Sequence, residues 1–130
     1  MAEITIRRFL REGILTLTPE LPMRDAVAQL VETGCSAAPV LDRDGALLGI
    51  LSQKDCFKAA LSSAYYQRWS DTVADHMTRE VESLDADTDI VAAAERFLAE
   101  PYRSYPVTSD GALVGMLSRA DLLAAFLAQG

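Results

Sequence analysis

A phrase of twelve residues occurs twice in this chain. Asp44 to Asp55 reads D-G-A-L-L-G-I-L-S-Q-K-D, and Asp110 to Asp121 reads D-G-A-L-V-G-M-L-S-R-A-D, displaced by 66 positions. Eight of the twelve residues are identical, and the apolar differences are conservative. Self-similarity at a fixed displacement is the mark of a duplicated supersecondary unit. Upstream the match continues at a displacement of 67, with Pro39-Val40 against Pro106-Val107. One extra residue, Arg43 or a neighbour, accounts for the change, beside an Asp-Gly turn that tolerates insertion. Earlier still, Met23, Ala26, Val27, Leu30 and Val31 share their spacing with Ile90, Ala93, Ala94, Phe97 and Leu98. Both sets describe a helix with one apolar face.

The unit can be read in order as β-α-β-β-α, an α+β fold. A short strand is expected at Ile14 to Thr18 and again at Val81 to Asp85, each followed by its amphipathic helix. A strand near Pro39 to Leu41, or Pro106 to Thr108, begins at a proline whose missing N–H is tolerable there. The Asp-Gly turn then leads into Ala46 to Leu51, or Ala112 to Leu117, whose continuous apolar run predicts burial on both faces. A second helix starts at Ser52 or Ser118. The boundaries are 1–61 for the first unit with an N-terminal extension, 62–72 for a linker, and 73–130 for the second unit. The linker holds Tyr65, Tyr66 and Trp69 and is expected to pack rather than to swing free. Asp75-His76-Met77-Thr78 is expected to lead into the second unit, with His76 at the surface or at a helix end. Ile6, Phe9 and Leu10 form an apolar stripe beside Arg7, Arg8 and Arg11, expected to cap the first unit or to join a dimer contact. One unit of about 60 residues would be marginal by itself, so the two copies are expected to pack as a pair.

Composition narrows the function. The net charge of −7 argues against nucleic acid or an anionic membrane as the main partner. The N-terminus has no signal pattern and no run approaches the ~20 apolar residues of a membrane span, so a soluble, cytoplasmic protein is expected. Cys35 and Cys56 form no C-x-x-C pair and read as buried thiols. With His76 as the one histidine, no paired catalytic carboxylates in a motif and no Gly-rich phosphate loop, an enzyme is not expected, and no metal site is legible.

The stretches Ser36 to Asp55 (S-A-A-P-V-L-D-R-D-G-A-L-L-G-I-L-S-Q-K-D) and Arg103 to Asp121 (R-S-Y-P-V-T-S-D-G-A-L-V-G-M-L-S-R-A-D) closely resemble the signature of cystathionine-β-synthase-type (CBS) domains. The resemblance covers roughly Ile14 to Phe126. It implies a pseudo-twofold pair, a stand-alone Bateman module, with two clefts between the units and frequent assembly into homodimers. It also implies binding of adenosine-containing ligands (AMP, ADP, ATP or S-adenosylmethionine), with no cofactor required, and signalling to a separate regulated protein.

In such proteins the residues matching Ser52 and Ser118 approach phosphate or ribose, and those matching Asp55 and Asp121 take the ribose hydroxyls. A carboxylate can accept both hydrogen bonds of a cis-diol, and helix-start N–H groups favour phosphate. The same Ser-x-x-Asp is also a capping box, which would use each aspartate to begin a helix. By the same resemblance Thr16 and Ser83 approach base or sugar. Arg103 offers a cation, and Tyr105 either a stacking ring or core filling. Arg119 and Lys54 add charge at the helix starts or are solvated surface. A nucleotide sensor and a structural dimerisation module with non-functional clefts therefore both remain open.

Overall fold

The computed structural model describes residues 4–129. They fall into two compact units. One runs from Leu15 to Val81; the other joins the described residues up to Ile14 to those from Glu82 onward. The N-terminal stripe therefore packs with the second repeat, not the first, and Asp75 to Thr78 packs with the first, not the second.

In the Leu15–Val81 unit, α1 (Met23–Thr33) is followed by β1 (Ala37–Leu41), β2 (Leu47–Ser52), α2 (Gln53–Tyr66) and a single turn, α3 (Val73–His76). β1 and β2 pair antiparallel. The strand expected at Ile14 to Thr18 shrinks to one parallel bridge, Leu17 to Val40. The other unit opens with a 3-10 turn, Ile6–Phe9, followed by β3 (Leu84–Asp85), α4 (Ile90–Ala99), β4 (Ser104–Ser109), β5 (Ala112–Ser118) and α5 (Arg119–Gln129). There β3 is parallel to β4, and β4 antiparallel to β5. The extra residue of the first repeat lies in its hairpin. Leu41 faces Leu47 where the shorter second hairpin sets Thr108 opposite Leu113. Asp42 organises the longer turn, its Oδ1 accepting from the N–H groups of Asp44 and Ala46.

Local chemistry sets the helix ends. Gly34 closes α1 in the left-handed region (φ 69°), its N–H donating to the carbonyls of Leu30 and Val31. Asp89 caps α4 by accepting from the Ala92 N–H at 2.9 Å. Gln67 ends α2 only after Tyr66, so half of the expected linker is helix. Tyr65 and Tyr66 meet edge to face on that last turn and are exposed, contrary to the packed role expected for them. The two penultimate strands also depart from expectation. In β2 only Gly49 and Leu51 are buried, and in β5 only Gly115 and Leu117, so burial alternates instead of covering both faces.

Each unit has its own core, and the cores match position by position. Leu17, Met23, Ala26, Leu30, Val40, Leu51 and Ala59 in one correspond to Leu84, Ile90, Ala93, Phe97, Val107, Leu117 and Ala125 in the other. The lead-in segments correspond as well. Val73 is fully buried in the first core and Ile6 in the second, again 67 positions apart. The Val73 N–H donates to the Leu21 carbonyl at 2.9 Å, as the Ile6 N–H does to that of Thr88 at 2.8 Å. Each repeat is thus completed by the short segment that precedes the other repeat in the chain.

Truncating either plug should show this. Ile6→Ala, like Val73→Ala, is expected to cost about 2–5 kcal/mol in urea unfolding, because each removes a buried branched side chain and leaves a void. A loss well below about 1 kcal/mol for Ile6→Ala would mean that the N-terminal turn is an appendage and not core.

Candidate functional site

The repeated Ser-x-x-Asp stands where β2 enters α2 and where β5 enters α5. At the first junction Ser52 is the N-cap. Its Oγ accepts from the Asp55 N–H at 3.2 Å, while Asp55 Oδ2 accepts from the Ser52 N–H at 3.0 Å and from the Ser52 hydroxyl at 2.9 Å. Thr78 Oγ1 donates to the same Oδ2 at 3.4 Å. Asp55 is the one charged residue buried among the described residues. All these bonds fall on one oxygen. Oδ1 accepts none among the described residues, so capping and an outward-facing acceptor are compatible in one carboxylate.

The second junction repeats the box. The Asp121 N–H donates to Ser118 Oγ at 3.0 Å, and the Ser118 N–H to Asp121 Oδ2 at 3.1 Å. Here, however, Oδ1 is engaged by the Arg11 guanidinium at 3.4 Å. Burial alone would push the Asp121 carboxyl up, but the bonds from Ser118 and Arg11 outweigh it and hold the group below its ordinary value.

The remaining predicted residues divide. Ser36 and Arg103 sit beside the junctions, their carbonyls accepting from the N–H groups of Gln53 and Arg119 at 2.9 and 3.0 Å. Arg103 and Arg119 are exposed, and Arg119 Nε donates to the Tyr102 carbonyl at 3.0 Å. Lys54 is exposed at the start of α2. Thr16 is exposed and Ser83 half-buried, each preceding the strand-forming Leu17 or Leu84 region.

Tyr105 is not available to stack on a base. It is fully buried, edge to face with Phe97 and Tyr102, and its hydroxyl donates to Glu100 Oε1 at 2.8 Å. Burial and that carboxylate push the phenol up to about 12. Arg96 secures the arrangement, its Nε donating to Glu100 at 2.7 Å and its Nη2 to Glu82 at 3.0 Å. Core filling, the other reading of Tyr105, is what the structure contains. The position is fully buried in the first repeat too, where it is Ala38.

Two residues at the junctions escape sequence reasoning, Thr78 and Arg11. The signal was faint: Thr5-Ile6 and Leu10 stand 67 positions before Thr72-Val73 and Met77, one identity with two conservative changes. His76 ends α3 as expected, its Nε2 2.7 Å from Asp71 Oδ2. Both cysteines are free, Cys56 buried and Cys35 half-buried, and burial raises the Cys56 thiol, with Asp55 adding to the effect. A cavity of about 700 Å³ lies between α4 and α5, lined mainly by Phe97, Leu98, Leu122, Leu123 and Phe126, with Glu100 and Arg119 also in its wall. A smaller one of about 280 Å³ lies between α1 and α2, against Leu30, Val31 and Phe57.

A family model described as CBS domain matches residues 6–62 and 73–128. Among curated relatives, the chain is 28% identical over 123 residues to the A-adding tRNA nucleotidyltransferase of Aquifex aeolicus, covering 95% of this chain and 14% of that protein. It is 21% identical over 118 residues to protein MJ1225 of Methanocaldococcus jannaschii, covering 91% and 41%. The chain spans less than half the length of either. Among solved structures, CBSX2 in complex with AMP matches with a TM-score of 0.82 and 27% identity, covering 97% of this chain and 98% of that one. CBSX2 comes from Arabidopsis thaliana.

The depressed Asp121 carboxyl has a consequence for acid stability. Its stabilising contribution is complete above the unfolded value of about 3.9 and fades as pH falls through the lower folded value. Asp121→Asn should therefore cost about 1 kcal/mol at neutral pH, and this cost should shrink below about pH 4. Urea titrations of both proteins across that range test it; a cost unchanged by pH would assign the loss to shape and not to charge.

Proposed function

Because this chain belongs to the CBS-domain family, with one matched segment in each half, we propose that it is a regulatory module that binds an adenosine-containing ligand, AMP, ADP, ATP or S-adenosylmethionine, at its strand-to-helix junctions. The observation that carries the reading is the Asp55 carboxylate. One of its oxygens begins α2 while the other accepts no hydrogen bond among the described residues, which suits it to a ribose diol. Ser52 and Ser118 stand at the helix starts, where N–H groups attract phosphate. Arg103 and Arg119 add cations at the second junction, while Thr16 and Ser83 are the residues proposed to approach base or sugar. Binding of AMP by CBSX2, at 27% identity over nearly the whole chain, supports the ligand class.

The module acts without catalysis of its own, in the cytoplasm, and passes ligand occupancy to a separate protein. No helix of the described residues is long and apolar enough to cross a membrane. Homodimerisation is part of the proposal. Val31, Phe57 and Leu61 in one repeat, and Leu98, Leu123 and Leu127 in the other, are large apolar side chains exposed on or beside the helix pairs. Apolar faces of this kind mark interaction surfaces. The same faces favour the second reading, a dimerisation module that ignores nucleotides, so the two readings separate on ligand binding alone.

Thermal-shift titration with AMP, ADP, ATP and S-adenosylmethionine should stabilise the protein, by about 2.7 kcal/mol at one hundred times the dissociation constant. Asp55→Ala or Asp121→Ala should remove the shift at its own junction. No shift with any of these ligands would leave the dimerisation module. Sedimentation should give twice the chain mass of 14.1 kDa, returning to the monomer value when Leu98 and Leu123 are replaced by glutamate; a monomeric wild type would refute the homodimer.

A further inference from the structure

The two junctions differ in one respect that the duplication makes visible. Arg11 and Thr78 occupy equivalent backbone positions. Arg11 exchanges hydrogen bonds with Met116 at 2.8 and 3.1 Å, and Thr78 exchanges them with Ile50 at 2.8 and 2.9 Å. Each carbonyl presses on a glycine of the strand. A Cβ on Gly115 would lie 2.8 Å from the Arg11 oxygen, and one on Gly49 would lie 2.5 Å from that of Thr78. From this shared position each side chain reaches the aspartate of its junction.

What arrives there is different. Thr78 brings a neutral hydroxyl to the oxygen of Asp55 that already caps the helix. Arg11 brings a cation to the oxygen of Asp121 that does not. The Arg11 side chain is 70% exposed and holds Asp121 through a single contact of 3.4 Å. Charge-assisted bonds of this type normally measure about 2.7–2.9 Å. Among the described residues the guanidinium makes no other hydrogen bond, so most of its five donors face solvent.

A ligand that needs the outward oxygen of Asp121 must displace this cation. An uncharged nucleoside offers the displaced guanidinium nothing in return. A phosphorylated nucleoside offers phosphate oxygens, whose geometry matches the planar guanidinium fork better than one long contact does. Resting on the nucleotide-binding reading above, we infer that Arg11 is the specificity-determining residue of the Asp121 junction and makes it select phosphorylated adenosine ligands over uncharged adenosine. The Asp55 junction, with Thr78 in that place, lacks this selection.

The test is calorimetric titration with AMP and with adenosine, on the wild type and on Arg11→Gln and Arg11→Lys, repeated in an Asp55→Asn background so that only the second junction reports. With Asp55→Asn alone, AMP should bind at least about tenfold tighter than adenosine, the scale of one charged hydrogen bond. Arg11→Gln should bring the two affinities within about threefold by weakening AMP and not adenosine, and Arg11→Lys should keep part of the preference. An AMP-to-adenosine ratio unchanged by Arg11→Gln overturns the inference and leaves the sensor reading intact. So does a wild type that binds while the Asp55→Asn protein binds neither ligand. A wild type that binds no adenosine compound overturns the sensor reading and the inference with it. Arg11 is exposed, so both variants should melt close to the wild type. If Arg11→Gln melts early, Arg11→Lys decides: a ratio below that of the parent supports the fork, and one equal to that of the parent overturns it.

Discussion

The fold depends on a backbone bridge laid across a glycine. β2 and β5 each have one edge paired within their hairpin, and the other would expose unpaired N–H and C=O groups. Thr78 covers that edge in one unit and Arg11 in the other, each through reciprocal hydrogen bonds. The approach is close enough that only glycine fits opposite, at Gly49 and Gly115. The same short segments drive Val73 and Ile6 into the two cores. Edge and core are therefore closed by one device. Because each device precedes the other repeat in sequence, neither contiguous repeat is complete. A small unit with little core to spare is stabilised by residues borrowed from across the chain.

Most of this architecture was legible because it obeys strong local rules. The spacing at Met23 and Ile90 marks the first helix of each repeat, Ser-x-x-Asp marks the start of the second, and Asp-Gly marks the hairpins, all within a few residues of where they lie. What was not legible is what local rules do not encode. The lead-in segments carry one identity between them, so their equivalence emerges only from the partners they meet in space. The expected strand at Ile14 to Thr18 had the right residues but finds only Leu17 in register with Val40. The aromatic run after Ser62 predicts packing, as aromatic side chains favour burial. Tyr65 and Tyr66 instead extend α2 and remain exposed, which makes them surface to be explained and not core.

The site shows the same division. The two aspartates were found because their spacing is fixed by the helix start. Tyr105 was ambiguous because an aromatic beside a conspicuous Pro-Val can face either way. Its hydroxyl settles the matter, since a buried phenol requires an acceptor and Glu100 provides one within a network held by Arg96. The partner position in the first repeat, Ala38, needs no such network. The large residue at this repeated position is thus accommodated by Phe97, Tyr102, Glu100 and Arg96, a set of contacts that Ala38 does not call for.

That divergence bears on how a ligand would be felt. On the proposed reading, a ribose at the first junction would use Asp55 Oδ1 while Oδ2 continues to cap α2, which would leave the existing hydrogen bonds in place. At the second, the corresponding oxygen is already committed to Arg11, whose backbone also closes the edge of β5. On the proposed reading, a ligand that captures the Arg11 guanidinium would engage a residue whose backbone closes the edge of β5, in the segment that carries Ile6. A ligand changes a conformational balance only by interacting differently with the alternatives. On the proposed reading, the second junction is the one where occupancy and the lead-in segment are mechanically joined, and the first is a site that can fill without disturbing its frame.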